Sequence, residues 1–225
     1  MALRLRLLSA LGLAAIAFGG GAAVARAGTC WSGYSYAGVQ NPAAAYGVSA
    51  TLTMVGAPTV ASGHVAAWVG VGGPGLGPGG KDEWLQAGIA HEAGGDDALY
   101  YEVKRPSDAS AQYVTLGPVS VGESHRIAVV ERAGQRDSWR VLLDGVQVGP
   151  ALALPGSHGS FAPVATAETW DGGAANCNRY AYDFKDLAVA GRPGGSWQPF
   201  GLAHVLRDPA YQLTLRSSGF TASSR

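Results

Sequence analysis

The sequence predicts an all-β protein, an antiparallel two-sheet β-sandwich or jelly roll. After residue 28, short runs rich in β-branched and aromatic residues recur, and Gly, Pro, Asp and Ser separate them. No stretch of this region keeps the 3.6-residue apolar period of an amphipathic helix. The 34 glycines and 12 prolines therefore indicate many tight turns rather than disorder, because strand-like runs continue between them. Regularly spaced strands without crossover helices favour antiparallel packing.

Eleven strands are predicted, each bounded by turn-forming residues. They lie near Ser49–Val55, Val65–Val71, Glu83–Ile89, Ala98–Lys104, Ala111–Leu116, His125–Glu131, Trp139–Leu143, Val146–Leu152, Val164–Trp170, Tyr180–Ala190 and Gln212–Arg216. The strongest hairpin signal is Asp144-Gly145 between two apolar runs, because both central residues of such a turn need positive φ. The order of the strands within the sheets does not follow from the sequence.

The first 27 residues are typical of a secretory signal peptide. Arg4 and Arg6 form a positive start, Leu7–Phe18 carry no charge, and Ala25–Ala27 place small residues at the positions that a signal peptidase reads. A retained membrane anchor is the less favoured alternative because the apolar run is short. We therefore expect a secreted or periplasmic protein, with a sandwich domain over residues 28–216 and a flexible tail over 217–225.

Charge and histidine placement exclude several classes of partner. The complete chain has a net charge of zero, and the part after residue 27, with 13 basic and 16 acidic residues, carries −3. Without a Lys/Arg cluster, no nucleic-acid surface is expected. The five histidines are dispersed and show no metal-ligand spacing, so neither a metal nor another cofactor is expected. We expect a monomer that does not insert stably into a membrane once the signal peptide is removed.

Two cysteines occur in the chain, Cys30 and Cys177. In an exported protein, an isolated pair is most simply one disulfide, which would tie the start of the mature chain to a late segment. Two free thiols are the alternative.

Several segments, taken in their order along the chain, resemble the glutamic peptidases known as eqolisins. The segments are Trp31–Tyr34, Val48–Thr53, Ala67–Val71, Leu85–Ile89, Tyr100–Glu102, Ala167–Trp170 and Tyr182–Phe184. In this order they look like the family's Trp-Ala-Gly-Tyr element, its first core strand, and its Trp-Val-Gly-Ile, Leu-Gln-Thr-Gly, Trp-Tyr-Glu, Ala-Glu-Trp and Asp-Phe-Gly elements. The resemblance covers most of the mature chain and implies a concanavalin A-like β-sandwich.

The same resemblance implies a candidate active site. Gln86 would correspond to the family's glutamine and Glu168 to its catalytic glutamate. A carboxyl group can deprotonate an attacking water, while an amide stabilises the oxyanion of the tetrahedral intermediate. Trp68, Trp84 and Glu102 would contact a polypeptide substrate. Trp84 and Gln86 share a face by the two-residue repeat of a strand.

A second hypothesis is a non-catalytic module of the same fold that binds a glycan, a polypeptide or another cell-surface polymer. The sequence departs from the family after Glu168, where a turn follows early at Asp171-Gly172-Gly173. Gln86 can also be an ordinary solvent-facing strand residue, and Glu168 can pair with an arginine such as Arg179. A glucanase is disfavoured, because no strand carries the alternating Glu-x-Asp-x-Glu that laminarinase-type enzymes use.

Overall fold

The structure of the protein is a computed structural model that describes residues 33–170, 178–201, 203–208 and 211–224. In chain order the strands are β1 (Tyr34–Gln40), β2 (Gly47–Thr59), β3 (His64–Gly73), β4 (Glu83–Glu92), β5 (Asp97–Lys104), β6 (Gln112–Pro118), β7 (Ser124–Glu131), β8 (Ser138–Leu143), β9 (Val146–Ala153), β10 (Pro163–Trp170), β11 (Arg179–Ala190), β12 (Trp197–Pro199), β13 (His204–Arg207), β14 (Tyr211–Arg216) and β15 (Gly219–Ser224). Within the described residues, the one helical element is a 3-10 turn at Pro78–Gly80.

The strands form two antiparallel sheets, which confirms the predicted sandwich. One sheet has seven strands in the order β13-β1-β10-β3-β4-β5-β6. The other has eight, seven of them in the order β14-β15-β11-β2-β7-β8-β9 and β12 as the eighth. The short strand β12 pairs with β11. All eleven predicted strands are present, as β2 to β11 and β14. In the predicted hairpin, Asp144 and Gly145 have φ values of 52° and 83°, as this turn requires.

Alternating residues of the two sheets fill the core between them. The largest fully buried side chains include Trp139, Tyr182, Phe184 and Phe220. Trp139 donates its indole N–H to Ser157 Oγ at 2.7 Å, so its polar atom is satisfied inside the core.

The expectation of a flexible tail over residues 217–225 is wrong for Gly219–Ser224. These residues form β15, which lies between β14 and β11 in the eight-stranded sheet. Phe220 is 1% exposed, and its ring stacks on Phe184 with 4.2 Å between ring centroids. Burial of the Phe220 ring and pairing on both edges stabilise β15. The sequence did not predict this strand, because the segment is short and mostly polar.

Candidate functional site

The seven-stranded sheet turns one face to the core and the other away from it, and we call the second the outward face. On β4, Leu85 and Ala87 are fully buried in the core, whereas Trp84 and Gln86 point outward. The predicted shared face of Trp84 and Gln86 is therefore confirmed. The other predicted site residues, Trp68, Glu102 and Glu168, alternate in the same way with buried neighbours on β3, β5 and β10.

Glu168 is held by two side chains on β3. Its Oε1 lies 3.0 Å from His64 Nε2, and its Oε2 accepts the Trp68 indole N–H at 3.2 Å. The carboxyl group is nearly buried, with 7% of the residue exposed. Histidine, rather than the arginine considered from the sequence, is therefore the basic side chain that contacts it. Ala66 is the residue of β3 directly opposite Glu168. His64 and Trp68 lie two positions to either side of Ala66, so their side chains reach Glu168 diagonally.

The strand register does not place Gln86 and Glu168 directly opposite each other. Gln86 pairs with Gly70, and Gly70 pairs with Val164 on β10. Glu168 lies four residues farther along β10, which is about 13 Å along the strand. Two strand spacings add about 10 Å in the perpendicular direction. The β10 residue in line with Gln86 is an apolar valine.

The acidic residue in line with Gln86 is Glu102, its direct partner on β5. The Trp84 indole N–H donates to Glu102 Oε1 at 2.8 Å, and Gln86 Nε2 donates to Tyr100 Oη at 3.2 Å. Both heads are therefore oriented by neighbours on the same pair of strands. Tyr100 belongs to the segment Tyr100–Glu102, which resembles the family. The sequence did not reveal that its hydroxyl contacts Gln86.

A small apolar cluster forms the middle of the outward face. Trp68 packs against Ala66, Ala90 and Tyr100, and Tyr113 stacks on Tyr100 with 4.9 Å between ring centroids. Close approach of β3 to β4 requires glycine here. A Cβ atom at Gly88 would lie 1.9 Å from the Ala67 carbonyl oxygen, so no larger residue fits without moving the backbone.

Exposed aromatic rings lie at one end of the outward face. Tyr34 stacks on Trp170 at 6.1 Å between centroids, and His64 lies 6.0 Å and 5.8 Å from these two rings. Sequence reasoning missed Tyr34 and His64 because each belongs to a strand whose neighbours could not be predicted. The two-residue repeat His64, Ala66, Trp68 was the available signal for a shared face.

The carboxylates set the electrostatics of this face. Burial raises the pKa of Glu102, the Trp84 hydrogen bond opposes that rise, and the charge of Glu168 adds to it. Burial, followed by the charge of Glu168, raises the pKa of both Tyr36 and Tyr100. Both phenols are therefore neutral hydrogen-bonding groups at physiological pH. The part of the chain that the structure describes holds no group of three or more His, Cys, Asp or Glu suited to a metal ion.

The fold is a β-sandwich similar to that of the glutamic peptidases, as the resemblance predicted. The structure is similar to scytalido-glutamic peptidase solved with a peptide-based transition state analogue, with a TM-score of 0.61 and 17% identity, over 85% of this chain and 98% of that one. It is also similar to a member of the eqolisin family of peptidases in complex with the tripeptide Ala-Ile-His, with a TM-score of 0.55 and 19% identity, over 84% of this chain and 96% of that one. An alginate lyase of polysaccharide lyase family 7 matches with a TM-score of 0.46. No family model and no curated protein matches the sequence.

Two sequence predictions concern residues that the structure does not describe. The signal peptide, residues 1–27, and both cysteines of the predicted disulfide, Cys30 and Cys177, lie outside the described ranges. In those ranges, no helix is long and apolar enough to cross a membrane.

Proposed function

We propose that this protein binds an extended polypeptide along the outward face of its seven-stranded sheet. The observation that carries the proposal is the row of side chains on that face. Aromatic rings at Tyr34, Trp170 and Tyr113 are exposed, and hydrogen-bonding heads at Gln86 and Glu102 lie among them. Aromatic side chains bury large areas at little entropic cost, and polar heads fix the register of a bound chain.

Polypeptide is favoured over glycan by the solved relatives of the same fold. The two that share it most clearly in the comparisons above were solved with a peptide-based analogue and with a tripeptide. Because their sequence identity to this chain is low, we infer only the class of ligand from them and not the individual contacts.

The register offset between Gln86 and Glu168, together with the occupied oxygens of Glu168, favours binding over hydrolysis by that particular pair. A water shared by an amide and a carboxylate requires both heads within about 3 Å of it. Here the two residues are offset by four positions along the strands, and both oxygens of Glu168 already have partners. Glu168 therefore serves this face as a carboxyl group held in place by two hydrogen bonds.

We expect Trp170→Ala to weaken polypeptide binding about tenfold, which corresponds to about 1.4 kcal/mol. The chain offers a matched control, because Trp170 and Trp197 are both 39% exposed and Trp197 belongs to β12 at the other sheet. Trp197→Ala should change the dissociation constant less than twofold. Calorimetric titration with a denatured, carboxymethylated protein and with a neutral glycan measures both. Equal losses in the two variants, or binding of the glycan alone, would contradict the proposal.

We also propose that the chain is exported with cleavage after Ala27, and that Cys30 and Cys177 form a disulfide. The charged start and the apolar run support the first, and the isolated pair of cysteines supports the second. Intact mass spectrometry of the exported protein should give an amino terminus at Gly28. Alkylation without prior reduction should add no mass, and a gain of two alkyl groups would disprove the disulfide.

A further inference from the structure

The loop between β3 and β4, residues 74–82, closes over a carboxyl group. Glu83, the first residue of β4, points inward and is fully buried, and within the described residues neither of its oxygens has a hydrogen-bond partner. The loop covers this group with backbone, since a Cβ atom at Gly77 would lie 2.7 Å from Glu83 Cβ and 3.2 Å from Glu83 Oε2. While the loop is closed, the ionised form of Glu83 therefore has neither solvent nor a hydrogen-bond donor to stabilise it.

The β3–β4 loop is tied mainly to itself. Within the described residues, its hydrogen bonds join loop residues to one another or to Gly73 at its base. Its largest apolar side chain, Leu76, is 42% exposed. Its neighbour on the opposite loop is Gly156, where a Cβ atom would lie 3.3 Å from Pro78 Cγ. A segment with so little packing against the rest of the molecule opens at a low cost in free energy.

The charged groups near Glu83 do not favour its ionised form. Burial, followed by the charge of Asp137 on the turn before β8, raises the pKa of Glu83 to about 7. The other charged groups on the elements packed here are bonded to each other or exposed to solvent: Glu131, His158, Lys81 and Asp82. Loss of the proton from Glu83 therefore favours a state in which the loop no longer covers it.

Glu83 is linked to the outward face through its neighbour in the chain. Trp84 points to the opposite side of β4, where its indole N–H donates to Glu102 Oε1 at 2.8 Å. Gly73 pairs with Glu83 and Gly72 pairs with Trp84, and these are the last two pairs of β3 and β4 before the loop. Opening of the loop at Glu83 therefore loosens the strand end that holds Trp84 against Glu102.

We propose that the β3–β4 loop is a latch that opens when Glu83 loses its proton, and that its opening withdraws Trp84 from the outward face. The proposal rests on the polypeptide-binding function above and adds a regulation of the same face. In the closed state the neutral carboxyl group lies under Gly77. In the open state the carboxylate reaches water, and Trp84 no longer orients Glu102 for the bound chain.

The pH range of the latch follows from the two states of Glu83. The pKa of this carboxyl group is about 7 in the closed state, and it returns to the ordinary 4.5 when the open loop exposes the group to solvent. Between these values the closed loop keeps a proton that the open loop has lost. The ratio of open to closed molecules therefore rises with pH from about 4.5 and levels off above about 7. The difference between the two pKa values limits this rise to about 300-fold.

Amide hydrogen exchange of residues 72–84 at pH 5 and pH 8, corrected for intrinsic exchange rates, measures the opening. In the wild type we expect protection of this segment to fall at least about tenfold between the two pH values, while the amides of β11 keep theirs. Glu83→Gln does not titrate and should be equally protected at both. Gly77→Ala should lose protection at both, because its Cβ has no room. Gly73→Ala is the matched control, because its Cβ would meet Leu76 at an ordinary 3.4 Å.

Polypeptide binding by the same proteins connects the latch to the outward face. The dissociation constant of wild type, relative to that of Glu83→Gln, should rise from about 1 at pH 5 to at least about 3 at pH 8. This ratio cancels the titration of Glu102 and Glu168, which both proteins share. Gly77→Ala should bind weakly at both pH values. Glu92→Gln removes an exposed carboxyl group from the same strand and should follow wild type.

The outcomes separate the latch from the binding function. Equal pH dependence of exchange in wild type and Glu83→Gln would overturn the latch, and so would exchange of the β11 amides together with the loop. A loop that opens while the ratio of dissociation constants stays at 1 would overturn the withdrawal of Trp84. Absence of wild-type binding at every pH, with the expected exchange, would overturn the proposed function and leave the latch standing.

Discussion

Glutamine in place of Glu83 is expected to raise the free energy of unfolding at pH 8 by up to about 3 kcal/mol, and to leave it nearly unchanged at pH 4. Glu83 is the first residue of β4 and is fully buried, and neither carboxyl oxygen has a hydrogen-bond partner among the described residues. A buried charge without partners is costly, so the protonated form is the one that the fold accepts.

The direction of the pH dependence follows from the pKa of Glu83. Burial, with a smaller contribution from the charge of Asp137, raises it from 4.5 to about 7. Between these two values the folded protein keeps a proton that the unfolded chain has lost. The stability contributed by protonated Glu83 is therefore complete below about pH 4.5, declines as pH rises and is gone above about pH 7.

Urea unfolding of wild type and Glu83→Gln at pH 4 and pH 8 measures this difference. Glutamine has the same shape and does not titrate, so the gap between the two proteins should open only at the higher pH. Glu92→Gln, at the exposed end of the same strand, should show no such gap. A gap of equal size at both pH values would mean that folding does not raise the pKa of Glu83.

The strands were predictable where local pattern alone decides them. The hairpin at Asp144-Gly145 was specified by two residues that tolerate positive φ, and the alternation of Trp84, Leu85, Gln86 and Ala87 assigned each side chain its face. Glu83 belongs to the same alternation, which places it inward. A carboxyl group at this inward position was not predictable, because its burial depends on the loop that folds over it, with Gly77 against its side chain.

The arrangement of the candidate site was not predictable, because it depends on which strands are neighbours and in what register. Recognition of the family elements placed Gln86 and Glu168 on one sheet, and both do lie on its outward face. A pattern along each strand cannot tell whether Glu168 or Val164 stands in line with Gln86. That distinction is a shift of four residues on β10.

The missed strand β15 leads to the second large effect: Phe220→Ala should lower the free energy of unfolding by about 3–5 kcal/mol. Phe220 is fully buried and stacks on Phe184 of β11, the strand to which β15 is paired. Its removal leaves a cavity between the sheets and deletes an aromatic contact. Because β15 also carries β14 on its other edge, loosening it exposes two strands of the eight-stranded sheet rather than one.

The partner of Phe220 on β14 supplies the control. Leu215 is directly opposite Phe220 in the register but is 54% exposed, so Leu215→Ala should cost less than about 1 kcal/mol. Denaturation of both variants at one pH gives the comparison, and circular dichroism shows whether each retains its sheet. If residues 219–224 were instead a loose tail, Phe220→Ala would be as mild as Leu215→Ala, since a ring in solvent has no packing to lose. A large and selective loss for Phe220 requires the chain's end to be part of the core.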